Sequence, residues 1–158
     1  MKYLTVISAF MIAAACLSAN SLACSPALPR PAKQIFKESS YVFHGTAIRA
    51  EAVFIKNEQG SVENIPLIKV YWKVDRTYKG KNIGKRATLT NMICGGVIVV
   101  VGAPYVVSLQ ALQGEEHRVL GLGDVMGILD DQGTIGEFYE PEKFTSLVAE
   151  FEKLRNER

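Results

Sequence analysis

The chain has 158 residues, of which 48% are hydrophobic and 22% charged, with Lys+Arg 18 against Asp+Glu 16. One globular domain of ordinary size fits these figures. The small positive surplus argues against a protein that binds nucleic acid through its overall charge, and the apolar content argues against a disordered chain. Three cysteines leave one without a partner if the protein is exported.

The N-terminus has the three parts of a secretory signal. Lys2 supplies the positive charge, residues 4–16 form a largely apolar stretch, and Ser21-Leu22-Ala23 has the small-x-small pattern that signal peptidase cleaves. The apolar stretch is shorter than the roughly 20 residues that a transmembrane helix needs. We therefore predict a cleaved signal peptide over residues 1–23 and one mature domain over residues 24–158. The domain would be secreted or periplasmic, with no transmembrane segment.

Cleavage would leave two cysteines, Cys24 and Cys94, because Cys16 is removed with the signal. Two cysteines in an oxidising compartment are expected to form a disulfide. A bacterial lipoprotein signal also ends just before a cysteine, although Ser21 and Leu22 fit that pattern poorly. In that alternative the Cys24 sulfur carries lipid and cannot bond to Cys94. The sequence leaves both alternatives open.

The first elements of the mature chain are an extended stretch, a short helix and a long strand. Three prolines in residues 26–31 predict a stiff, extended start. Pro31 suits the first position of a helix through Ser40, with Ile35 and Phe36 facing inward. Residues 41–55 then predict a strand, interrupted at a glycine, Gly45. Residues 57–61 predict a turn.

Alternation of apolar and polar residues marks the second strand most clearly. The apolar set consists of Ile68, Val70, Trp72 and Val74. Residues 77–82 predict a turn, and residues 86–90 a third strand. The 28 residues between Arg86 and Glu115 carry no charge, but glycines and a proline interrupt them, so a membrane segment is excluded. We predict two buried strands there, one over residues 97–101 and one after a turn at Gly102-Ala103-Pro104.

The last third of the chain predicts one more strand region and a helix. Residues 119–129 form the strand region, and residues 130–133 its turn. Pro141 suits the first turn of a C-terminal helix. Its apolar positions repeat every three to four residues: Phe144, Leu147, Val148, Phe151 and Leu154. The predicted fold is mainly β, a five-stranded closed barrel like the oligonucleotide/oligosaccharide-binding (OB) fold, with a short N-terminal and a C-terminal helix.

Several of these residues together resemble the netrin-like module. The resemblance lies in a cysteine made N-terminal by signal cleavage, Phe43-His44-Gly45, the run Val74-Asp75-Arg76-Thr77-Tyr78-Lys79-Gly80, Cys94-Gly95, and residues 102–107. It covers about residues 24–109. The most specific feature is the separation of 70 residues between Cys24 and Cys94, which is close to that of a disulfide in this family.

The best-known members of the family are the tissue inhibitors of metalloproteinases, and the resemblance implies their chemistry. The amino group and carbonyl of Cys24 would chelate the catalytic zinc of a partner metalloprotease in its open coordination position. Ser25 would point toward the specificity pocket, Pro26 would stiffen the ridge, and Cys94 would anchor it. The resemblance therefore implies a disulfide-bonded protein inhibitor with neither a cofactor nor a metal of its own, which we expect to be a monomer. We also predict that the chain is not an enzyme, because no nucleophile has an identifiable base nearby in the sequence.

The chain also departs from that family. The inhibitors begin Cys-x-Cys, whereas this mature chain would begin Cys24-Ser25-Pro26, and their C-terminal domain has no counterpart here. Two alternatives follow: an envelope lipoprotein or structural interaction module without inhibitory activity, and a barrel that binds a glycan or another small polymer. The glycan alternative requires an exposed aromatic patch on the barrel strands.

Other motifs predict structural rather than chemical roles. His44 and His117 have no third ligand at metal-site spacing, so we interpret His44 as a half-buried strand residue and His117 as a loop residue. Residues 121–127 miss the dinucleotide fingerprint by one position. Asp130-Asp131 is interpreted as a turn pair. Four basic residues lie within residues 79–86: Lys79, Lys81, Lys85 and Arg86. We interpret them as a solvated hairpin rather than a nucleic-acid site.

Overall fold

Two helices and six strands form the regular structure of residues 29–56, 62–81, 86–91, 96–112 and 125–158, the part of the chain that the structure, a computed structural model, describes. In chain order they are α1 (Ala32–Glu38), β1 (Tyr41–Lys56), β2 (Val62–Lys79), β3 (Arg86–Asn91), β4 (Pro104–Ala111), β5 (Val125–Leu129), β6 (Ile135–Gly136) and α2 (Pro141–Asn156). In this part of the chain, no helix is both long enough and apolar enough to cross a bilayer.

Five strands close into a barrel in the order β1-β2-β3-β5-β4, and β4 pairs with β1 to complete the circle. The β3–β5 pairing is parallel, whereas the other pairings are antiparallel. This mixed, closed, OB-fold-like barrel confirms the predicted fold class. The two-residue strand β6, which the sequence analysis did not predict, pairs with β4.

The β1–β2 hairpin has the alternation and the interruption that the sequence predicts. Val70 and Trp72 are fully buried. The register shifts between His44 and Gly45, as expected for a bulge. A Cβ at Gly45 would lie 2.7 Å from the backbone oxygen of Lys73, so only glycine allows the two strands to approach this closely.

The core lies partly inside the barrel and partly between the barrel and the helices. Inside, Trp72 packs edge-to-face against Phe43 and Tyr105, with ring centroids 5.9 and 5.5 Å away. The indole Nε1 of Trp72 donates a hydrogen bond to Thr88 Oγ1 at 2.8 Å, which satisfies a buried donor. The second cluster joins both helices to the outer face of the barrel through Ile35, Phe36, Val42, Tyr78, Val106, Ile135, Phe144, Leu147 and Phe151.

Both predicted helices are confirmed, with small differences in their ends. In α1, Ile35 and Phe36 are buried as predicted, and Pro31 is the N-cap residue. In α2, Phe144, Leu147 and Phe151 are buried, and Val148 and Leu154 pack partly buried beside them. The turn over residues 131–133 is also confirmed. The predicted turn at residues 57–61 and the predicted strand residues 119–124 lie outside the described residues.

The predicted turn over residues 77–82 begins too early. Strand β2 continues to Lys79, because Thr77 pairs with Phe43 and Lys79 with Val42. Tyr78 is buried between the barrel and α2, where its ring contacts Phe151. The chain leaves the strand only at Gly80, whose φ of 96° favours glycine.

The predicted strand over residues 97–101 is wrong. Residues 96–100 have no strand pairing, and residues 101–102 form a turn. A hairpin through Gly102 would need a free edge of β4. One edge of β4 pairs with β1, and the other pairs with β5 and β6. The segment is therefore excluded from the sheet despite its β-branched residues.

Candidate protein-binding surface

Side chains from the barrel hold the β3–β4 connector, defined here as residues 96–103, in place. The backbone N–H of Val97 donates to Thr90 Oγ1 at 2.9 Å. The N–H of Val100 donates to the hydroxyl of Tyr105 at 2.8 Å. Tyr105 is buried against the barrel core, so the connector is attached to a rigid support. At its C-terminal end, the N–H of Gly102 donates to the carbonyl of Ala47 in β1 at 2.7 Å, and the N–H of Ala47 donates to the carbonyl of Ala103 at 3.2 Å.

The side chains of the connector alternate between the barrel core and solvent. Val97 and Val99 pack partly buried against the barrel cluster. Ile98 and Val101 point outward, with 72% and 52% of their surface exposed, and Val100 is also exposed. An exposed run of large aliphatic side chains on an ordered backbone is typical of an interaction surface.

A second exposed apolar feature follows β6. Phe138 and Tyr139 are 77% and 48% exposed, and their rings pack edge-to-face with centroids 5.5 Å apart. The N–H of Tyr139 donates to the carbonyl of Gly136 at 3.2 Å, which turns the chain toward α2. A Cβ at Gly136 would lie 2.6 Å from Cε1 of Tyr105, so this glycine lets β6 pack directly on the ring that supports the connector.

A cleft of about 220 Å³ separates the connector from the β6–α2 link. We call it the Tyr139 cleft. It is lined by Gly96, Val97, Ile98, Tyr105, Asp131, Thr134, Ile135, Gly136, Tyr139 and Glu140. Two of these lining residues are acids and none is Lys or Arg. The cleft therefore combines apolar walls with negative charge.

Arg30 fixes the start of the described chain close to this cleft. Its backbone N–H and its Nε donate to Gln132 Oε1 at 2.9 and 3.1 Å. Its guanidinium also forms ion pairs with Asp130 at 2.5 Å and with Glu38 at 2.8 Å. Asp131, which lies between Asp130 and Gln132 in the sequence, lines the cleft. Arg30 therefore lies beside the turn that carries Asp131 of the Tyr139 cleft.

The four residues to which the sequence assigns binding, Cys24, Ser25, Pro26 and Cys94, lie outside the described residues. Their disulfide and their ridge stay predictions. On the Cys94 side, Gly96 lines the Tyr139 cleft.

His44 is half-buried, as predicted. The His44 ring packs edge-to-face against Phe144, with centroids 5.6 Å apart, and its Nε2 is buried with no hydrogen-bond partner among the described residues. His117 lies outside them. In the described ranges, no group of three or more His, Cys, Asp or Glu side chains is arranged to hold a metal ion. Asp131 lies in the turn over residues 131–133, in agreement with its interpretation, and Asp130 directly precedes this turn and pairs with Arg30.

Lys79, from the basic turn of the sequence, has a structural role. Its Nζ donates to the carbonyls of Phe36, Lys37 and Ser39 at 2.7, 2.9 and 2.5 Å. These carbonyls lie at the C-terminal end of α1, where a cation is favourable. Burial lowers the pKa of Lys79. Lys81 is exposed.

The exposed aromatic pair Phe138 and Tyr139 was not predicted from the sequence. Both residues precede Pro141 and fall outside the apolar repeat of α2. This position outside the repeat is the signal by which the sequence could have indicated an exposed pair. Large aromatic residues that belong to no periodic core face are candidates for the surface.

No model of a known protein family matches the sequence, and no curated protein matches it.

Proposed function

We propose that this chain is an exported protein-binding module that acts through an ordered apolar ridge and has no enzymatic activity. One observation carries the proposal: the connector exposes Ile98 and Val101 while Tyr105 holds its backbone against the barrel. A surface that is ordered before binding loses less conformational entropy when a partner docks. The ridge would consist of the connector and the N-terminal stretch.

The partner class that we propose is a zinc metalloprotease. The OB-fold-like barrel is the fold that the netrin-like resemblance implies. Arg30 and Gly96 both lie beside the 130–136 segment, and they are six and two residues from Cys24 and Cys94 in the sequence. Six residues of extended chain span at most about 20 Å, so the proposed disulfide requires Gly96 to lie within about that distance of Arg30.

The proposed inhibition depends on the amino group of Cys24. An α-amino pKa of about 7.7–8.0 makes the neutral, chelating form accessible near neutral pH. This nitrogen and the Cys24 carbonyl would occupy the open position of the partner's zinc. Ser25 would face the specificity pocket, and the disulfide to Cys94 and the ring of Pro26 would hold the ridge in its binding conformation.

The test begins with the protein purified from an export-competent host. Intact mass and N-terminal analysis should show an N-terminus at Cys24 and the loss of two hydrogens on disulfide formation. The protein should then slow at least one zinc protease in a panel at micromolar concentration. A variant with one alanine added before Cys24 is the matched control, because its amine is displaced while the barrel is unchanged.

Two results would contradict this mechanism. One is equal inhibition by the protein with the added alanine. The other is no inhibition of any protease by protein with a verified free N-terminus. A mass increase of several hundred daltons at Cys24 would instead favour the lipoprotein alternative, in which the cysteine carries an anchor.

A further inference from the structure

We infer that the Tyr139 cleft is a specificity site for a basic side chain, arginine or lysine, of the partner protein. The inference rests on the proposed function only in that the partner is a protein. The observations that carry it are the shape of the cleft, its apolar and aromatic walls, and the sign of the charge at its rim.

The walls suit a long side chain with an apolar stem. Ile98 is on the connector side and Tyr139 on the side of the β6–α2 link, with Tyr105 between them. The methylene stem of Arg or Lys packs along such apolar surfaces while its head stays polar. The half-exposed ring of Tyr139 can also present its face to a cation, and such contacts contribute about 0.5–1 kcal/mol at exposed sites.

The charge of the rim selects a cation. Asp131 and Glu140 line the cleft, and no Lys or Arg does among the described residues. Asp130, the neighbour of Asp131, is already neutralised by Arg30. Glu140 is 3.4 Å from Lys143, but both side chains are about half exposed, so this pair is weak and can be exchanged for a partner's cation.

The surroundings reinforce this charge. Residues 130–142 contain five acids and no Lys or Arg. Asp130 among them is paired with Arg30 and Glu140 with Lys143, whereas Glu137 and Glu142 add two exposed acids on the same segment. Residues 87–114 contain no charged residue. The anionic backbone of a nucleic acid would be repelled by such a rim. A basic segment of a protein is attracted to it, and complementary charge raises both the association rate and the specificity.

The experiment uses a matched pair of peptides with the exported full chain. The first is N-acetyl-Leu-Arg-Leu-amide; the second has citrulline in place of arginine, which keeps the shape of the side chain and removes its charge. Binding is followed by the backbone amide NMR shifts of Gly136 and Tyr139. The arginine peptide should shift these amides at millimolar concentration, and the citrulline peptide should bind at least fivefold more weakly.

Variants locate the site. The double variant Asp131→Asn/Glu140→Gln should weaken arginine-peptide binding at least fivefold, and both positions are exposed, so folding should be unaffected. Glu150→Gln, an exposed acid on α2 outside the cleft, is the matched control and should leave binding unchanged. Amide shifts far from the cleft report whether each variant is folded.

Three results would overturn the inference. They are equal binding of the two peptides, absence of binding by both, and shifts that depend on protein concentration rather than on peptide, which would make the occupant a second copy of the chain. The alanine added before Cys24 separates the two proposals. Peptide binding without protease inhibition refutes the proposed inhibition alone, whereas inhibition without a preference for arginine over citrulline refutes this inference alone.

Discussion

Replacing Tyr105 with phenylalanine removes one oxygen and should loosen the connector without altering the barrel. The hydroxyl accepts a hydrogen bond from the N–H of Val100 at 2.8 Å and donates one to the carbonyl of Ile98 at 3.3 Å. The ring stays in place because it is packed against Trp72 inside the barrel. The change therefore tests whether this hydroxyl holds the connector.

The expected loss of stability is modest. A neutral hydrogen bond contributes about 0.5–1.5 kcal/mol, and an orphaned donor costs more only if water cannot reach it. The bond at 3.3 Å is the weaker one, and the bond from the Val100 N–H is only partly buried, so water can reach this N–H in the variant. We expect Tyr105→Phe to lower the free energy of unfolding by about 1 kcal/mol. That corresponds to about 4 °C in Tm for a domain of this size.

The decisive measurement is hydrogen exchange at single amides. In Tyr105→Phe, the Val100 amide should lose most of its protection, while the amides of β2 keep theirs. Tyr71→Phe is the matched control, because it removes a phenol hydroxyl that donates to Glu51 Oε1 at 2.7 Å, away from the connector. Unchanged protection at Val100 in Tyr105→Phe would refute the role given to the hydroxyl, whatever the change in Tm.

Three further predictions concern the packing around this surface and the helices. Gly136→Ala should destabilise the fold by about 1–3 kcal/mol in urea denaturation, because its methyl group would overlap the ring of Tyr105; an unchanged midpoint would contradict the close approach. Lys79→Met keeps the stem but removes three hydrogen bonds to α1 and should cost about 1–2 kcal/mol, whereas the exposed Lys81→Met should cost almost nothing. Burial raises the pKa of both Tyr78 and Tyr105 above the usual value of 10.0. These two tyrosines ionise first in the unfolded chain, so their contribution to stability should be constant below about pH 10 and be lost as the pH rises through their folded-state pKa values; stability that does not fall there would contradict this.

Elements whose pattern depends on one partner surface could be predicted from the sequence. The alternation around Trp72 in β2 reflects one buried face, and the three-to-four-residue spacing from Phe144 in α2 reflects one apolar stripe. The bulge at Gly45 could also be predicted, because a glycine inside a strand pattern indicates a close backbone approach. In these cases, local chemistry and burial point to the same structure.

The prediction of a strand over residues 97–101 was wrong for a reason that lies outside their own sequence. A β-branched run favours extended backbone, and the side chains here alternate as in a strand, with Val99 inward and Ile98 outward. Strand pairing also requires a free sheet edge, and β1, β5 and β6 occupy both edges of β4. Whether an edge is free depends on barrel closure, which no window of sequence contains. The short strand β6 went unpredicted for the same reason.

The exclusion of the connector from the sheet also makes it suitable for binding. If this segment were a strand beside β4, sheet hydrogen bonds would occupy its own backbone groups, and the barrel as a whole would fix its position. The connector is instead anchored by Thr90 at Val97 and by Tyr105 at Val100, and only its last two residues bond to the backbone of β1, at Ala47. Fixing one residue's backbone costs about 1–2 kcal/mol of entropy, and these anchors have met that cost before a partner arrives. It follows that Tyr105→Phe should weaken partner binding, because the lost hydroxyl holds the connector backbone at Val100.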